Sequence, residues 1–465
     1  METLESTSSG RICELREMQR SYFRSGATLD VRTRKNNLKL LEKAVLKWEK
    51  PLCDALWKDL HKSYEEAYLT ETSILLGEIR THIRKLNKWT RPQRAATPLT
   101  LFPSRSRIIS EPLGTALIIS PWNYPVQLLL TPLVGAISSG CTAVLKPSPY
   151  VPAVSGVLGE MIADTFPQEY VAVVQGHRDV NAALLEQRWD MIFFTGSPSL
   201  GRVVMEAASK NLTPVVLELG GKSPCIIDRD ADIRIAARRV AWGKSLNAGQ
   251  TCIAPDYLML HNDIKDEFLK ALQSEFESLL GKDARESRHF ARIVSDKAFD
   301  RLTGYLADGR IVFGGHTDRS ERYFEPTALD GVSPDASVMR EEIFGPVFPV
   351  QTFGNLDDAL ESVAAGEKPL ALYYFGNSGD KVLEHTSSGG ACINDTIMHI
   401  ANENMPFGGV GMSGMGSYHN KFSFDAFSHR RAVITTPTWI DLPFRYMPYS
   451  LFNVVRKILK LQDFM

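Results

Sequence analysis

The 465-residue sequence has almost no net charge and no long apolar run. Its 53 basic and 54 acidic residues give a formal net charge of −1, so electrostatics provides no reason to expect a nucleic-acid partner. No stretch approaches the roughly 18 apolar residues that span a bilayer, and the polar, acidic start Met1–Ser6 is not typical of a secretory signal. We therefore expect a cytoplasmic protein, with peripheral membrane contact left open.

Cysteine is also scarce. The six cysteines, at positions 13, 53, 141, 225, 252 and 392, form no CxxC pair. This spacing indicates neither a zinc site nor a disulfide framework, so we predict no metal and free thiols in a reducing compartment. A free cysteine is most often a small buried apolar residue, and we expect this of all of them except Cys252.

The chain is long enough for two or three subdomains, and 44% hydrophobic with 23% charged residues is typical of a folded globular protein. Residues 11 to 92 have apolar positions at helical spacing, whereas the Pro- and Arg-rich stretch 92–110 favours an extended connector. From residue 115, short apolar strands alternate with helical segments. The predicted strands are Thr115–Ile119, Thr142–Leu145, Tyr170–Val174 and Met191–Phe194, with helices at Val126–Ser139, Val154–Phe166 and Asn181–Gln187 between them.

This alternation predicts a buried parallel sheet that collects ligands at the carboxyl ends of its strands. Pro121–Pro125, Lys146–Pro149 and Thr195–Gly201 all follow predicted strands, which indicates a nucleotide-binding half. Thr195–Gly201 also precedes a helix and suits a pyrophosphate, but it matches neither the dinucleotide fingerprint nor a P-loop. Locally, a simple strand–helix turn explains it equally well. A second alternating block runs from about 215 to 400, with helices near 232–246 and 264–281.

Three residues are candidates for chemistry. Cys252 lies in Asn247-Ala-Gly-Gln-Thr-Cys-Ile-Ala-Pro255, where the glycine and proline indicate a loop at a helix end, and a thiol there suits nucleophilic attack. Glu218 ends an apolar run, and it is either a desolvated general base or the partner of Lys222 in a salt bridge. Asn123, between two prolines, is either an oxyanion donor or a turn-forming asparagine.

Seven motifs occur together in one order along the chain. They are Pro121-Trp-Asn-Tyr-Pro, Lys146-Pro-Ser, Phe194-Thr-Gly-Ser, Leu217-Glu-Leu-Gly-Gly-Lys-Ser-Pro, Gly249-Gln-Thr-Cys, Glu341-Glu-Ile-Phe-Gly-Pro and Pro406-Phe-Gly-Gly-Val-Gly. The series resembles the aldehyde dehydrogenase superfamily over nearly the whole chain. The short N-terminus, Ser428-His-Arg-Arg431 and Arg445-Tyr-Met-Pro-Tyr449 resemble its class 3 branch, which includes fatty-aldehyde dehydrogenases.

The resemblance implies an α/β aldehyde dehydrogenase fold and a covalent mechanism. Cys252 is implied to be the nucleophile that forms a thiohemiacetal and then a thioester, Glu218 the general base, and Asn123 the oxyanion donor. The product is a carboxylic acid, and medium- or long-chain aliphatic or aromatic aldehydes are the expected substrates. Tyr68, Tyr124 and Met398 are expected to line the substrate channel, with ordinary packing as the alternative for each.

The resemblance also implies a site for NAD or NADP. Lys146 is expected at the adenosine ribose, Gly196 to Gly201 near the pyrophosphate, and Glu342 and Phe344 at the nicotinamide ribose and ring. The full set of predicted cofactor residues is Trp122, Lys146, Gly196, Ser197, Gly201, Leu219, Gly220, Glu342 and Phe344. Many NAD-preferring relatives carry an acid three residues after the lysine, where this chain has Pro149, so we expect NADP to be accepted.

The expected domain arrangement follows the same resemblance. Residues 1–215 with 405–425 form a Rossmann-like NAD(P)-binding domain with N-terminal helices, and 216–404 form an α/β catalytic domain. Segments 93–112 and 426–440 bridge subunits of a homodimer, and 441–465 form a C-terminal tail. Within the tail, Leu451–Leu461 has an apolar stripe opposite basic residues, which favours docking on protein, contact with a membrane surface or cover over the substrate entrance.

Two other functions remain open from the sequence alone. One is an enzyme of the same superfamily that transfers the acyl group to coenzyme A, for which a water-activating Glu218 would be superfluous. The other is a non-catalytic structural relative, which would have no need of Cys252, Glu218 and Asn123 together.

Overall fold

The computed structural model describes residues 5–441, 443, 446–449, 451–454 and 456–457. The α-helices are α1 (Ser9–Arg24), α2 (Val31–Leu60), α3 (Tyr64–Ala67), α4 (Ser73–Trp89), α5 (Gln127–Ser139), α6 (Pro152–Thr165), α7 (Arg178–Glu186), α8 (Pro198–Ser209), α9 (Ile233–Ser245), α10 (Lys265–Leu280), α11 (Asp296–Gly304), α12 (Ser337–Arg340), α13 (Leu356–Ala365), α14 (Gly379–His385) and α15 (Lys421–Ala426).

The strands are β1 (Gln93–Ala95), β2 (Arg105–Pro112), β3 (Thr115–Ile119), β4 (Thr142–Lys146), β5 (Val171–Val173), β6 (Met191–Thr195), β7 (Val215–Glu218), β8 (Pro224–Ile227), β9 (Tyr257–His261), β10 (Arg310–Phe313), β11 (Thr317–Asp318), β12 (Tyr323–Phe324), β13 (Thr327–Asp330), β14 (Val347–Phe353), β15 (Ala371–Phe375), β16 (Gly390–Ile393), β17 (Gly414–Met415) and β18 (Ser428–Thr435).

The N-terminal segment forms helices α1 to α4, as the spacing of its apolar residues predicted. In α2, Asp30 caps the first turn by accepting from the Thr33 backbone N–H, and an apolar stripe including Leu38, Leu41 and Val45 is buried. The helix ends at His61, whose left-handed φ of 56° turns the chain. A π-helical turn, Tyr68–Thr72, then joins α3 to α4.

A six-stranded sheet with the order β17-β7-β6-β3-β4-β5 forms the first α/β layer. Its strands are parallel except for β17, which pairs antiparallel with β7. The four strands predicted from 115 to 194 are therefore confirmed. Helix α5 is buried along its whole length because it contacts this sheet and also α2 and α4 of the N-terminal layer.

A seven-stranded sheet with the order β10-β13-β14-β9-β8-β15-β16 forms the second layer. It is parallel apart from the β10–β13 pair. The predicted helices near 232–246 and 264–281 are α9 and α10. Only the short link from Glu218 at the end of β7 to Pro224 at the start of β8 separates the two sheets in sequence, so Glu218 lies at their junction.

A third, antiparallel sheet has the order β1-β2-β18. Strand β18 pairs with β2 from Ser428 opposite Pro112 to Thr435 opposite Arg105. These strands fall within the two segments predicted to bridge subunits. The predicted amphipathic stretch Leu451–Leu461 extends beyond the described residues. Within the described part of the chain, every helix is too short or too polar to cross a membrane.

Candidate active site

Cys252 lies in the loop between α9 and β9, so the predicted position at a helix end is confirmed. After α9, Asn247 and Ala248 adopt left-handed φ values of 50° and 51°, which reverse the chain and bring Cys252 back toward the junction of the sheets. Burial raises the pKa of the Cys252 thiol, and the carboxyl groups of Glu342 and Glu218 raise it further. The thiol is therefore protonated at neutral pH in this state.

Among the other cysteines, four are buried as expected, at positions 53, 141, 225 and 392. Cys13 is exposed on α1, so the prediction of a buried residue is wrong there. It lies on the solvent side of a helix whose buried residues include Ile12 and Leu15.

Glu218 is buried without a hydrogen-bonding partner. Its side chain is 3% exposed, and neither carboxyl oxygen has a partner among the described residues. Burial alone raises the pKa of this carboxyl group well above its ordinary value. The alternative of a salt bridge with Lys222 is wrong, because the Lys222 ammonium lies 2.5 Å from the Asp256 carboxylate and donates to the Val338 carbonyl oxygen.

Asn123 is fixed by contacts outside its own turn. Its Nδ2 donates to the carbonyl oxygen of Gln250 at 3.1 Å, two residues before the candidate nucleophile. Its backbone carbonyl oxygen accepts from Lys62 Nζ and from Asn247 Nδ2, both at 3.0 Å. The side chain therefore joins the turn to the Cys252 loop, and Nδ2 keeps a second hydrogen that it can donate.

These three residues line one cavity of about 1200 Å³. Seven of the predicted cofactor residues line the same cavity: Trp122, Gly196, Ser197, Leu219, Gly220, Glu342 and Phe344. The remaining two, Lys146 and Gly201, are not part of its lining.

Lys146 is buried at the end of β4, where its Nζ donates to the Pro147 carbonyl oxygen at 2.8 Å. Burial lowers the pKa of its ammonium group to about 8. Gly201 lies inside α8, where an added Cβ would be 2.7 Å from Leu219 Cδ2. The absence of a side chain at Gly201 thus allows α8 to pack closely against Leu219, the residue after β7.

The turn before α8 fits a pyrophosphate group. Helix α8 is 12 residues long and begins with Pro198, and its N-cap residue Ser197 accepts from the Leu200 N–H. The N-terminus of a helix favours an anion because its first N–H groups lack partners within the helix. Thr195, at the cavity wall, also has a buried hydroxyl with no partner among the described residues.

Two pairs of predicted cofactor residues lie side by side in the cavity. Glu342 contacts Gly220, and Phe344 contacts Trp122. A Cβ on Gly220 would lie 1.9 Å from Glu342 Oε2, so only glycine admits this carboxyl group. The rings of Trp122 and Phe344 meet edge to face with centroids 5.3 Å apart. Burial raises the pKa of Glu342 well above its ordinary value.

The predicted channel residues do not line this cavity. Tyr124 is buried, and its hydroxyl lies 2.7 Å from that of Thr251, next to Cys252. Tyr68 and Met398 are exposed. The sequence analysis did not predict Arg202, Lys222 or Met412 as lining residues, although Lys222 lies within one of the quoted motifs.

Comparisons with known proteins show which family this chain is similar to. The profile of the aldehyde dehydrogenase family matches residues 8–433. The 4,4'-diaponeurosporen-aldehyde dehydrogenase of Staphylococcus aureus is 45% identical over 436 residues, which cover 93% of this chain and 95% of the relative. Aldehyde dehydrogenase family 3 member B1 of Homo sapiens is also 45% identical, with 93% of each chain covered.

Solved structures show the same similarity in three dimensions. The substrate-bound state of Staphylococcus aureus AldH superposes with a TM-score of 0.95 at 43% identity, covering 96% of this chain and 99% of the other. An indole-3-acetaldehyde dehydrogenase in complex with NAD+ gives a TM-score of 0.85 at 26% identity, covering 93% and 90% of the two chains.

Proposed function

The chain belongs to the aldehyde dehydrogenase family and oxidises aldehydes to carboxylic acids with NAD or NADP, and we propose that it does so through a thioester on Cys252. The observation that carries the proposal is that Cys252, Glu218 and Asn123 line one cavity. The helix N-terminus at Ser197 and the side chain of Glu342 are the groups that would hold the pyrophosphate and the nicotinamide ribose.

In the first half-reaction, Cys252 Sγ attacks the aldehyde carbonyl carbon. The carbonyl oxygen becomes an oxyanion, and the free hydrogen of Asn123 Nδ2 and the Cys252 N–H stabilise it. Because burial raises the pKa of the thiol, Sγ must lose its proton to solvent as it attacks. The bound nicotinamide supplies the hydride acceptor, and the carbon remains on Cys252 as an acyl thioester.

In the second half-reaction, Glu218 removes a proton from water as the water attacks the thioester carbonyl. A carboxyl group whose pKa is raised by burial accepts a proton more readily than an exposed one. The carboxylic acid is released as the C–S bond breaks, and the Cys252 thiolate takes up the proton that Glu218 had removed from water. The same buried carboxylate has no use for a thiol acceptor such as coenzyme A, which disfavours the acyl-transfer alternative.

The proposal is tested by assaying the native protein and Cys252→Ser with both cofactors on a panel of aldehydes from acetaldehyde to hexadecanal. We expect NAD(P)H formation by the native protein and its loss in the variant. Mass spectrometry of acid-quenched enzyme should show an acyl adduct on the peptide that contains Cys252. Turnover that requires added coenzyme A would overturn the hydrolytic assignment, and turnover by Cys252→Ser would overturn the nucleophile.

The substrate class that we propose is apolar, either long-chain or aromatic. The support is a group of exposed apolar side chains, Tyr64, Tyr68 and Leu69, on the segment that packs beneath the Asn123 turn through Glu71. We expect kcat/KM to rise with aldehyde chain length in that panel. A maximum at acetaldehyde would contradict this choice.

For the cofactor, we propose that NADP is accepted as well as NAD. Pro149 offers no carboxylate to repel a 2′-phosphate, and Lys146 is the nearest candidate cation in that motif. A kcat/KM for NAD that is a hundredfold above that for NADP would overturn this proposal. Pro149→Glu should shift the ratio toward NAD, because it restores the missing acid.

We also propose a homodimer formed through 93–112 and 426–440. Strand β18 is the last strand of its sheet, and Leu99, Phe102, Ile434 and Trp439 expose large apolar side chains in this region. Sedimentation velocity distinguishes a dimer from a monomer.

The membrane alternative for the C-terminal stretch is tested by deleting the residues after Pro448 and measuring binding of the protein to liposomes. Binding equal to that of the full chain would eliminate this alternative.

A further inference from the structure

A buried ion pair lies beneath the turn that carries Asn123. Lys62 follows the end of α2, and Glu71 lies in the π-helical turn between α3 and α4. Both side chains are 0% exposed, and Lys62 Nζ lies 2.7 Å from Glu71 Oε1. Burial of two charges is costly unless other polar groups satisfy them, so their remaining contacts indicate what the pair does.

Within the described residues, the other side-chain hydrogen bonds of the pair go to one segment, residues 123 to 127. Lys62 Nζ donates to the Asn123 carbonyl oxygen at 3.0 Å and lies 4.1 Å from the centroid of the Tyr124 ring. Glu71 Oε2 accepts from the backbone N–H groups of Val126 and Gln127, at 2.8 and 3.3 Å. Lys62 therefore holds the segment at Asn123, and Glu71 holds it at Val126 and Gln127, where α5 begins.

The same turn is joined to the loop of the nucleophile. Asn247 Nδ2 donates to the Asn123 carbonyl oxygen, next to the Lys62 ammonium, and also to the Gln250 carbonyl oxygen. Asn123 Nδ2 donates to that Gln250 oxygen as well. The Tyr124 hydroxyl contacts Thr251 Oγ1 at 2.7 Å.

These contacts cross between the two sheets. Asn123 follows β3 of the six-stranded sheet, whereas Cys252 precedes β9 of the seven-stranded sheet. The two donors of an oxyanion site thus come from separate parts of the fold, and nothing in either part alone sets the distance between them. A third element, the N-terminal helical layer, contacts both, since Glu66 Oε1 also accepts from the Asn247 N–H at 2.8 Å.

We propose that Lys62, with Glu71 as its counter-ion, is a positioning residue that fixes the Asn123 amide relative to the Cys252 N–H. The inference rests on the proposed roles of Asn123 and Cys252. Lys62 is not part of the cavity lining, so it acts only through Asn123 and its neighbours. Stabilisation of an oxyanion depends on donors that are held in place before charge develops, so a displaced turn slows formation of the thiohemiacetal.

The test is the burst of NAD(P)H formation in stopped-flow measurements of Lys62→Met/Glu71→Gln. This double variant removes both charges of the pair together, and the oxygen of the new amide can still accept from the Val126 N–H. We expect the burst rate constant to fall by about tenfold to a hundredfold, because small misplacements of reacting groups have effects of that size. The KM for the cofactor should remain unchanged.

Arg34→Met is the matched control. Arg34 is also a buried cation, but its guanidinium donates to the Thr28, Leu29 and Ser138 carbonyl oxygens at the opposite end of α5. It should lower thermal stability without changing the burst. An equal loss of burst rate in both variants would overturn the proposal in favour of general destabilisation.

A double-mutant cycle with Asn123→Ala decides whether Lys62 acts through Asn123. In the Asn123→Ala background, replacement of Lys62 and Glu71 should have little further effect on the burst, because the group that they position is gone. Multiplicative losses would overturn the positioning role. If Asn123→Ala itself leaves the burst unchanged, the proposed oxyanion role of Asn123 fails. This outcome differs from failure of the positioning role of Lys62, in which Asn123→Ala slows the burst. If the double variant does not fold, Lys62→Met alone serves, and a normal burst there would overturn the proposal.

Discussion

The backbone of Gly414 pairs with that of Glu218 at the edge of the six-stranded sheet. Beside this pair, the Leu219 N–H donates to the Ser413 carbonyl oxygen at 3.0 Å. The Glu218 side chain has no hydrogen bond within the described residues, so its position depends on these backbone contacts. The C-terminal end of the Gly-rich segment Pro406–Gly414 thus holds the backbone of the candidate base in place. Its side chains have no proposed role in the reaction.

Gly414→Ala should therefore reduce both stability and the second half-reaction. Gly414 has a φ of +139°, and an added Cβ would lie 2.1 Å from the Leu217 carbonyl oxygen, so the strand must separate from β7. We expect a loss of about 3 kcal/mol or more in unfolding free energy and a lower rate of thioester hydrolysis. Thermal unfolding and steady-state turnover measure the two effects.

Gly281→Ala is the control for backbone strain alone. Gly281 has a φ of +89°, but no atom lies within 4 Å of the Cβ that would be added. Backbone strain should lower the free energy of unfolding by about 1–3 kcal/mol, and the rate of thioester hydrolysis should remain unchanged. Equal stability losses in the two variants, with normal turnover in both, would contradict the support that we assign to Gly414.

Glu218→Gln should slow hydrolysis of the thioester more than the first hydride transfer. The amide fits the same buried space but cannot take a proton from water, and removal of a general base costs roughly 10²–10⁴-fold in rate. The pre-steady-state burst of NAD(P)H should persist while steady-state turnover falls. Rapid-quench mass spectrometry should then find the acyl enzyme accumulated on Cys252. A lost burst with normal turnover would contradict the division of roles between Cys252 and Glu218.

The parts of the fold that were predicted from the sequence are those with a local pattern. Strand β3 was predicted with its observed bounds, because a continuous apolar run lies between Gly114 and Pro121. Helix α7 begins at Arg178 rather than at the predicted Asn181, since the charged Arg178 and Asp179 that open it add nothing to the apolar pattern. The series of motifs, rather than any one of them, indicated which residues meet in the cavity.

Residues whose role depends on distant partners were not predictable in this way. Lys222 is close to Glu218 in sequence, but the turn at Gly220 and Gly221 directs it to Asp256 instead. Lys62 lies just after α2 and Glu71 in the π-helical turn, and charged residues in such segments usually face solvent. Their burial follows from the packing of α5 between the N-terminal helices and the sheet, which no local pattern specifies.

Gly220→Ala should weaken cofactor binding while leaving the fold intact. The new methyl group would meet the Glu342 carboxyl, which is the end of a flexible side chain and can move aside. Displacement of Glu342 removes a predicted contact to the nicotinamide ribose, so we expect KM for NAD(P) to rise about tenfold or more, as for loss of a hydrogen bond to a charged group. Gly304→Ala, where no atom lies within 4 Å of the added Cβ, is the matched control. An unchanged KM in Gly220→Ala would remove Glu342 from the cofactor site.

The preference between cofactors should depend on pH through Lys146. Burial lowers the pKa of its ammonium group to about 8, so the group is charged at pH 7 and loses its charge as the pH rises through 8. If Lys146 attracts the 2′-phosphate, kcat/KM for NADP should fall above pH 8 by up to about tenfold per pH unit, because this ratio follows ionisation of the free enzyme. Titration of Cys252 or Glu218 affects both cofactors equally and cancels in the ratio of NADP to NAD. Lys146→Arg should keep the ratio constant up to pH 10, since a guanidinium stays protonated there. Parallel pH profiles for the two cofactors in the native protein would show that Lys146 does not contact the 2′-phosphate.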